Sequence, residues 1–264
     1  MSAAAFAAML ANPFFPIARD GKIGGKTAFH WQMLGRRGAV TSTSVLNDVV
    51  EFGAASATIP LITAADALEI VSSSASDIAG GAGVRGVKVL YLDAAGVLTL
   101  SANIALNGTN AVAATGLTLN CTGLWAMFSS DMADETITAV GNIRLRKVAG
   151  AIECEQISAG GNMSQSARIR VPPGYAAYLN EWNALATANT QDVRLRAQCE
   201  PFSRTLCTPY LFQSTMGLAA GATLGARLPH LKVPAGAHIK ISTYAGHTST
   251  ARCDVDCSIT LMQV

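Results

Sequence analysis

Gly25-Lys26-Thr27 has the ending of a phosphate-binding loop, in which backbone N–H groups cradle phosphate and the lysine reaches its outer oxygens. The spacing fails, because the first glycine should stand at position 20, which is Asp20, and no apolar strand precedes it. Gly81-Ala82-Gly83-Val84-Arg85-Gly86 spells G-x-G-x-x-G, the dinucleotide fingerprint, which needs a strand before it and a helix after it. Here a Ser/Ala loop precedes and an alternating apolar run follows, so the stretch reads as a glycine-rich turn. The histidines are His30, His230, His238 and His247; they form no H-E-x-x-H zinc motif, and no G-x-S-x-G nucleophile elbow exists. Carboxylates pair at Asp134-Glu135 and at Glu153/Glu155, but they read as a loop and a solvated strand face. A glycosidase could use such carboxylates, but carbohydrate sites also want aromatic platforms, and aromatics make up only 6% of the chain.

The six cysteines, Cys121, Cys154, Cys199, Cys207, Cys253 and Cys257, lack the C-x-x-C pairs of a zinc site. Cys253-Asp254-Val255-Asp256-Cys257 is the one tight cluster. On a strand, Cys253, Val255 and Cys257 share one face and the two aspartates the other, which predicts small buried hydrophobes behind a wet acidic face. Reduced thiols are expected. The chemistry-bearing residues thus predict no catalytic site, no cofactor and no metal, and the chain reads as not an enzyme.

One charged pattern is more specific. Arg144/Arg146, Arg168/Arg170 and Arg194/Arg196 are R-x-R pairs on predicted strands, with Leu145, Ile169 and Leu195 facing the other way. Either they line a solvated sheet face, or they meet carboxylates of a partner or adjacent subunit, a role suited to the planar guanidinium fork.

The elements that must position these residues are strands. Val84–Leu92 alternates with Val87, Val89 and Tyr91 on one face; Asp93-Ala94-Ala95-Gly96 is a turn, and Val97–Leu106 reads as the return strand. Further strands are predicted at Gly123–Phe128, Gly141–Lys147, Ala151–Ile157, Ala167–Val171, Ala176–Trp182, Val193–Cys199, His238–Tyr244 and Arg252–Met262. Val171-Pro172-Pro173-Gly174 and Val233-Pro234-Ala235-Gly236 look alike, and each predicts a tight corner of the kind that carries a chain between the sheets of a sandwich. The fold class is all-β: two β-sandwich or jelly-roll-like units, residues 51–164 and 165–264, preceded by an extended N-terminal arm, residues 1–50. Ser2 caps a short helix over 3–11 that Pro13 ends. Phe6, Leu10, Phe14 and Phe15 are the arm's candidate contact residues.

Composition narrows the function further. The 264 residues carry 19 Lys plus Arg and 17 Asp plus Glu, a net charge of +2, and only 14% are charged. Ordinary soluble domains hold about 25%. Disorder and polybasic nucleic-acid binding both need far more charge, so no direct nucleic-acid contact is expected. Ala94–Ser130 lacks any ionisable acid or base, yet no window in it is apolar enough for a membrane helix, and no membrane partner is expected. A surface that partners cover would explain the missing charge.

Short motifs add a resemblance. Thr58-Ile-Pro-Leu-Ile-Thr63, Leu68-Glu-Ile-Val-Ser-Ser-Ser-Ala-Ser-Asp77, Gly81-Ala-Gly-Val-Arg85, Val89-Leu-Tyr-Leu-Asp93, Leu106-Asn-Gly-Thr109 and Val140-Gly-Asn-Ile-Arg144 resemble segments of poorly characterised virion structural proteins of tailed bacteriophages. The likeness continues from Ala167 through Val171-Pro-Pro-Gly-Tyr175 to the Arg194/Arg196 strand. It implies a β-rich virion protein with no active site to transfer. The expectation is a homo-oligomeric capsid decoration or cement protein that contacts the major capsid protein or other virion proteins and resides in a virion assembled in the host cytoplasm. A head–tail, tail or receptor-binding component, including a glycan-binding one, is the alternative.

Overall fold

A computed structural model describes residues 22–23, 26–40, 47–50, 62, 65–117, 119, 123–131, 134, 136–187, 191–198, 212–219, 221, 223–245 and 251–264. Among them the regular structure is all strand apart from one 3-10 turn at Ala149–Ala151, with turns and loops between the strands. The strands are β1 (Lys22–Ile23), β2 (Lys26–Val40), β3 (Asn47–Asp48), β4 (Leu68–Ser72), β5 (Gly86–Leu92), β6 (Leu98–Leu100), β7 (Ile104–Ala105), β8 (Val112–Ala113) and β9 (Leu124–Ser129). They continue with β10 (Ile143–Lys147), β11 (Glu153–Ile157), β12 (Arg168–Arg170), β13 (Tyr175–Ala186), β14 (Gln191–Gln198), β15 (Phe212–Leu218), β16 (Thr223–Val233), β17 (His238–Ala245) and β18 (Ala251–Gln263).

Two sheets build a jelly roll. One runs β1-β2-β18-β13-β16, and the other β12-β17-β14-β15 with β3 also on β17. Count the strand positions along the chain as β2, β3 with β12, β13, β14, β15, β16, β17 and β18. The first sheet then reads first-eighth-third-sixth and the second reads second-seventh-fourth-fifth, the double Greek key of a jelly roll. Inward residues alternate along each strand: Cys253, Val255, Cys257, Ile259 and Leu261 on β18, Ile239 and Ile241 on β17, Val193 and Leu195 on β14. On β13 a bulge between Leu179 and Glu181 shifts the phase, so Ala177 and Leu179 before it, and Trp182, Ala184 and Ala186 after it, all enter the core.

The two Val-Pro-x-Gly corners carry the chain between these sheets, β12 to β13 and β16 to β17. In each, the glycine takes φ +78°, and the next N–H closes the turn: Tyr175 N donates to Pro172 O at 3.2 Å and Ala237 N to Pro234 O at 3.3 Å. The corners also lie side by side, with Val171 N donating to Ala237 O at 2.9 Å and Gly236 N to Val171 O at 2.8 Å.

The second strand position is split. Asn47–Asp48 pairs with Thr243 and Ser242, and Arg168–Arg170 pairs with Lys240, Ile239 and His238, so β3 and β12 occupy successive stretches of one line along β17. Between them the chain departs at Val50 and returns at Ser166, which bridge each other. The excursion forms a second sandwich from the sheets β11-β10-β4-β8 and β6-β5-β7, with β9 on the other side of β5. Its core holds Ile70, Val87, Val89, Tyr91, Met127, Ile143, Leu145 and Ile157.

The structure corrects two readings. Residues 26–40 and 47–48 are not an extended arm: β2 is the longest strand and pairs with β18 along most of its length, and β3 joins the opposite sheet. The return strand predicted over Val97–Leu106 is broken into β6 and β7, because the Ser101 side chain enters the ladder: Val89 N donates to Ser101 Oγ at 2.9 Å. The helix expected at 3–11 lies outside the described residues, as do Phe6, Leu10, Phe14 and Phe15.

Candidate functional site

The R-x-R strands land where the sequence puts them, with Leu145, Ile169 and Leu195 buried behind. The carboxylates differ from the expectation, since this chain supplies several of them. On β10, Arg144 Nε lies 3.1 Å from Glu153 Oε1, and Arg146 Nε lies 2.6 Å from Glu69 Oε1 on the neighbouring β4. Arg168 is 5% exposed and Glu155 is fully buried, with Arg168 Nη2 3.2 Å from Glu155 Oε2 and 2.6 Å from Cys154 O. Arg168 is therefore withdrawn as an interface residue, and Glu155 as a solvated one. Arg170 Nε donates to Gly236 O at 3.4 Å. Arg194 is half-buried opposite Ser242, and the backbone register sets Arg196 opposite Lys240.

Of these, Arg168, Arg170 and Glu155 meet at the junction of the two sandwiches. Ser166 Oγ donates to Glu155 Oε1, and Gln156 N donates to the same oxygen at 3.2 Å. Burial nevertheless pushes the Glu155 carboxyl above its ordinary range, against the opposing pull of Arg168 and these donors. The Nε and Nη1 atoms of Arg168 are buried and have no hydrogen-bond acceptor. Beside them His238 is held at about 3, first by burial and then by Arg170, Lys240 and Arg168. Asp48 answers this positive charge: Ser242 Oγ donates to it at 2.6 Å and Lys240 Nζ lies 3.2 Å away. Apolar contact seals the same junction. Trp125 of the inserted sandwich packs on Trp31 and Phe29 of β2, with ring centroids 5.3 and 6.4 Å apart, and its Nε1 donates to Arg170 O at 3.2 Å.

A second buried carboxylate organises the glycine-rich loop. Asp77 accepts Ser72 Oγ at 2.5 Å, Val84 N at 3.1 Å, Val140 N at 2.9 Å and Gly141 N at 2.9 Å. A Cβ on Gly83 would collide with this carboxylate. The G-x-G-x-x-G run is thus a turn wrapped on Asp77 and leading into β5. Lys26-Thr27 likewise opens strand β2, with no helix start to receive phosphate.

The Cys253–Cys257 cluster is arranged as read. Both thiols and Val255 are buried, while Asp254 and Asp256 face the outer side of the sheet. There Asp254 bonds Arg36 at 3.0 Å and Arg252 at 2.6 Å, and Asn183 Nδ2 donates to Asp256 Oδ1 at 2.9 Å. Asp134 turns its carboxylate onto Thr136, whose hydroxyl at 2.6 Å holds it below the usual range. Among the described residues no group of three or more His, Cys, Asp or Glu is placed to hold a metal ion, and no helix is long and apolar enough to cross a membrane. The Glu155–Arg168 pair, the Asp77 hub and the Trp125 contact were all missed from sequence, since each joins residues that no local motif links.

The class defined by these ladders is an all-β protein, a jelly roll with a second sandwich inserted in one strand. No known family profile matches the chain. No curated protein matches it either. Solved structures that align with it include the Eiger TNF from S. frugiperda, at 13% identity over 45% of this chain and 73% of that one, with a TM-score of 0.23. Infectious bursal disease virus strain Gx aligns at 10% identity over 90% of this chain and 71% of that one, with a TM-score of 0.23. The VP2 subviral particle of the same virus aligns at 8% over 98% and 77%, with a TM-score of 0.22. Likenesses of this size assign neither fold nor function.

Proposed function

We propose that this chain is a structural virion protein, a decoration or cement subunit that stabilises a capsid shell through contacts with the major capsid protein and with copies of itself. The observation that carries the reading is the uncharged flank of the inserted sandwich. Ala94–Ser130 holds no acid or base, and most of its residues from Ala94 to Gly116 are exposed or half-buried. Val97 and Leu100 are 57% and 51% exposed, Ala94, Ala95, Ala102 and Ala105 are exposed along the same stretch, and Ala111 and Ala113 are exposed at β8 on the other sheet. A free monomer ordinarily coats such surface with Lys, Glu, Asp and Arg. Small and apolar exposed side chains suit close, dry contact with another subunit.

Two further points support it. Short motifs over residues 58–200 resemble those of virion structural proteins of tailed bacteriophages, and jelly rolls serve in viral capsid domains, though they serve in lectins too. Fold alone does not specify function, so the weight rests on the flank. The test is to add purified protein to shells assembled without it. The expected result is co-sedimentation, a higher temperature of shell disruption, and density over the shell whose contact face is the 94–113 flank. Protein that stays in the supernatant at saturating concentration, or that docks equally well with Leu100→Lys and Val97→Glu, would overturn the proposal.

A further inference from the structure

The outer face of the layer β2-β18-β13-β16 carries a groove of about 310 Å³. The register aligns two cross-strand rows beneath it. Arg36, Asp254, Leu185 and Thr223 form one, and Leu34, Asp256, Asn183 and Gly225 the other. Gly225 leaves space for the Asn183 amide, since a Cβ there would strike its Oδ1. Asn183 is thereby free to lie along the floor and fix Asp256 through its Nδ2.

The charges decide what could bind. Asp254 is bonded by both Arg36 and Arg252, whereas Asp256 forms no ion pair among the described residues. The lining holds Arg36, Asp254 and Asp256, and Arg252, which bonds Asp254 from beyond the lining, brings their sum to zero. A phosphate or carboxylate would face Asp256, and a basic side chain would face the two guanidinium groups, so neither ion gains. A neutral ligand rich in hydroxyls fits better. Asp256 is a charged acceptor, and hydrogen bonds to charged groups are the stronger kind. Arg36 and the exposed Thr223 add donors along the rim. Leu34 and Leu185, both half-buried, offer apolar surface to the C–H face of a sugar ring.

We infer that this groove binds a neutral oligosaccharide, with one hexose seated across Asp256 and Asn183. The inference stands apart from the capsid reading, because the groove lies on the jelly roll and not on the uncharged flank. The test uses the full chain on an array of neutral, sialylated and sulfated glycans, followed by calorimetric titration of the best neutral oligosaccharide with and without about 0.5 M salt, which screens ionic contacts. The expected result is binding of uncharged hexose glycans that salt leaves unchanged. Asp256→Ala should weaken it about tenfold or more, as should Thr223→Arg, which fills the rim from an exposed position and leaves the melting temperature unchanged. No binding to any neutral glycan, a preference for sialylated or sulfated glycans, or affinity undiminished in both variants would overturn it.

Discussion

Val49 and Ala167 share a single rung opposite Ile241. Val49 N donates to Ile241 O at 2.9 Å, Ile241 N donates to Ala167 O at 2.9 Å, and Ala167 N donates back to Val49 O at 2.9 Å. One strand residue normally makes both bonds to its neighbour; here each of two residues, far apart in sequence, makes one. The inserted sandwich therefore leaves and re-enters the jelly roll at one point, with the ladder of β17 unbroken across the gap.

Excision follows from that geometry. Replacing residues 51–165 by a short Gly/Ser turn between Val50 and Ser166 should leave a folded, cooperatively unfolding jelly roll, because those two residues already bridge as a hairpin end. The loss of Trp125 from Phe29 and Trp31 should lower stability by roughly 2–4 kcal/mol. Dispersed amide resonances and a single denaturation transition are the readout; a collapsed, non-cooperative product would show that the insertion is needed to fold the rest.

The junction's ion pair makes a sharper prediction. Glu155→Ala strands the Arg168 guanidinium, already short of acceptors at Nε and Nη1, in a buried site. A loss of about 3–5 kcal/mol is expected from an uncompensated buried charge. Adding Arg168→Met should restore most of it, since the double variant removes both charges. Urea titration of the single and double variants checks this; equal losses in both would mean that packing, not charge, dominates the site.

The alternating β-branched strands and the Val-Pro-x-Gly corners were legible because their physics is local: period-two burial, fixed proline φ and a glycine at positive φ. Strand β2 was not. Its inward set runs Phe29, Trp31, Met33, Gly35, Arg37, and the glycine and arginine break the apolar signal. Gly35 is required because Ala167 packs against it, a contact across the two sheets that the sequence does not display. Strand β16 hides for another reason: Pro229 interrupts it, at the break in pairing between Arg227 and Leu231 on the sheet's edge, where proline is tolerated. The partners of Arg144, Arg146 and Arg168 were not legible, because none is a sequence neighbour: Glu69 meets Arg146 from 77 residues away. The groove was half legible, since strand alternation placed Asp254 and Asp256 together but could not bring Asn183 and Arg36 to them.

Acid should weaken the fold through His238. The imidazole is 8% exposed and held at about 3 by burial and by Arg170, Lys240 and Arg168, while an unfolded chain titrates near its ordinary value of 6.5. A depressed histidine favours the folded state above the unfolded value and loses that contribution as pH falls from 6.5 toward 3. The full loss is roughly 4–5 kcal/mol, with about 2 kcal/mol gone by about pH 5. His238→Gln, which cannot titrate, should flatten the slope of stability against pH in this window. Parallel slopes for the two proteins would place the acid sensitivity elsewhere.

The thiols should be silent in the native protein. Cys154 is pushed up to about 11 and Cys253 to about 12, both chiefly by burial, and Cys257 is raised further by burial beside Asp256. At about pH 8 almost none of their thiolate exists, and access is closed as well. Alkylation followed by peptide mapping should leave these three cysteines unmodified until denaturant is added, then modify Cys253 and Cys257 together as the jelly roll opens and Cys154 as the inserted sandwich opens.

Asp77 gives the most local test of the inserted sandwich. Its carboxylate collects the N–H groups of Val84, Val140 and Gly141 and the Ser72 hydroxyl, so one side chain ties the start of β5, the approach to β10 and the end of β4. Asp77→Ala orphans those donors, and a buried unsatisfied donor costs about 1–3 kcal/mol each, less what water recovers. The expected loss is roughly 3–5 kcal/mol. Asp77→Asn keeps the shape but offers one acceptor oxygen in place of two and adds an amide donor facing other donors, so it should recover little. Hydrogen exchange separates this from a general weakening: the amides of Val84, Val140 and Gly141 should lose protection while Leu195 and Ile241, in the jelly roll, keep theirs. Uniform loss across both sandwiches would show instead that the two units unfold as one.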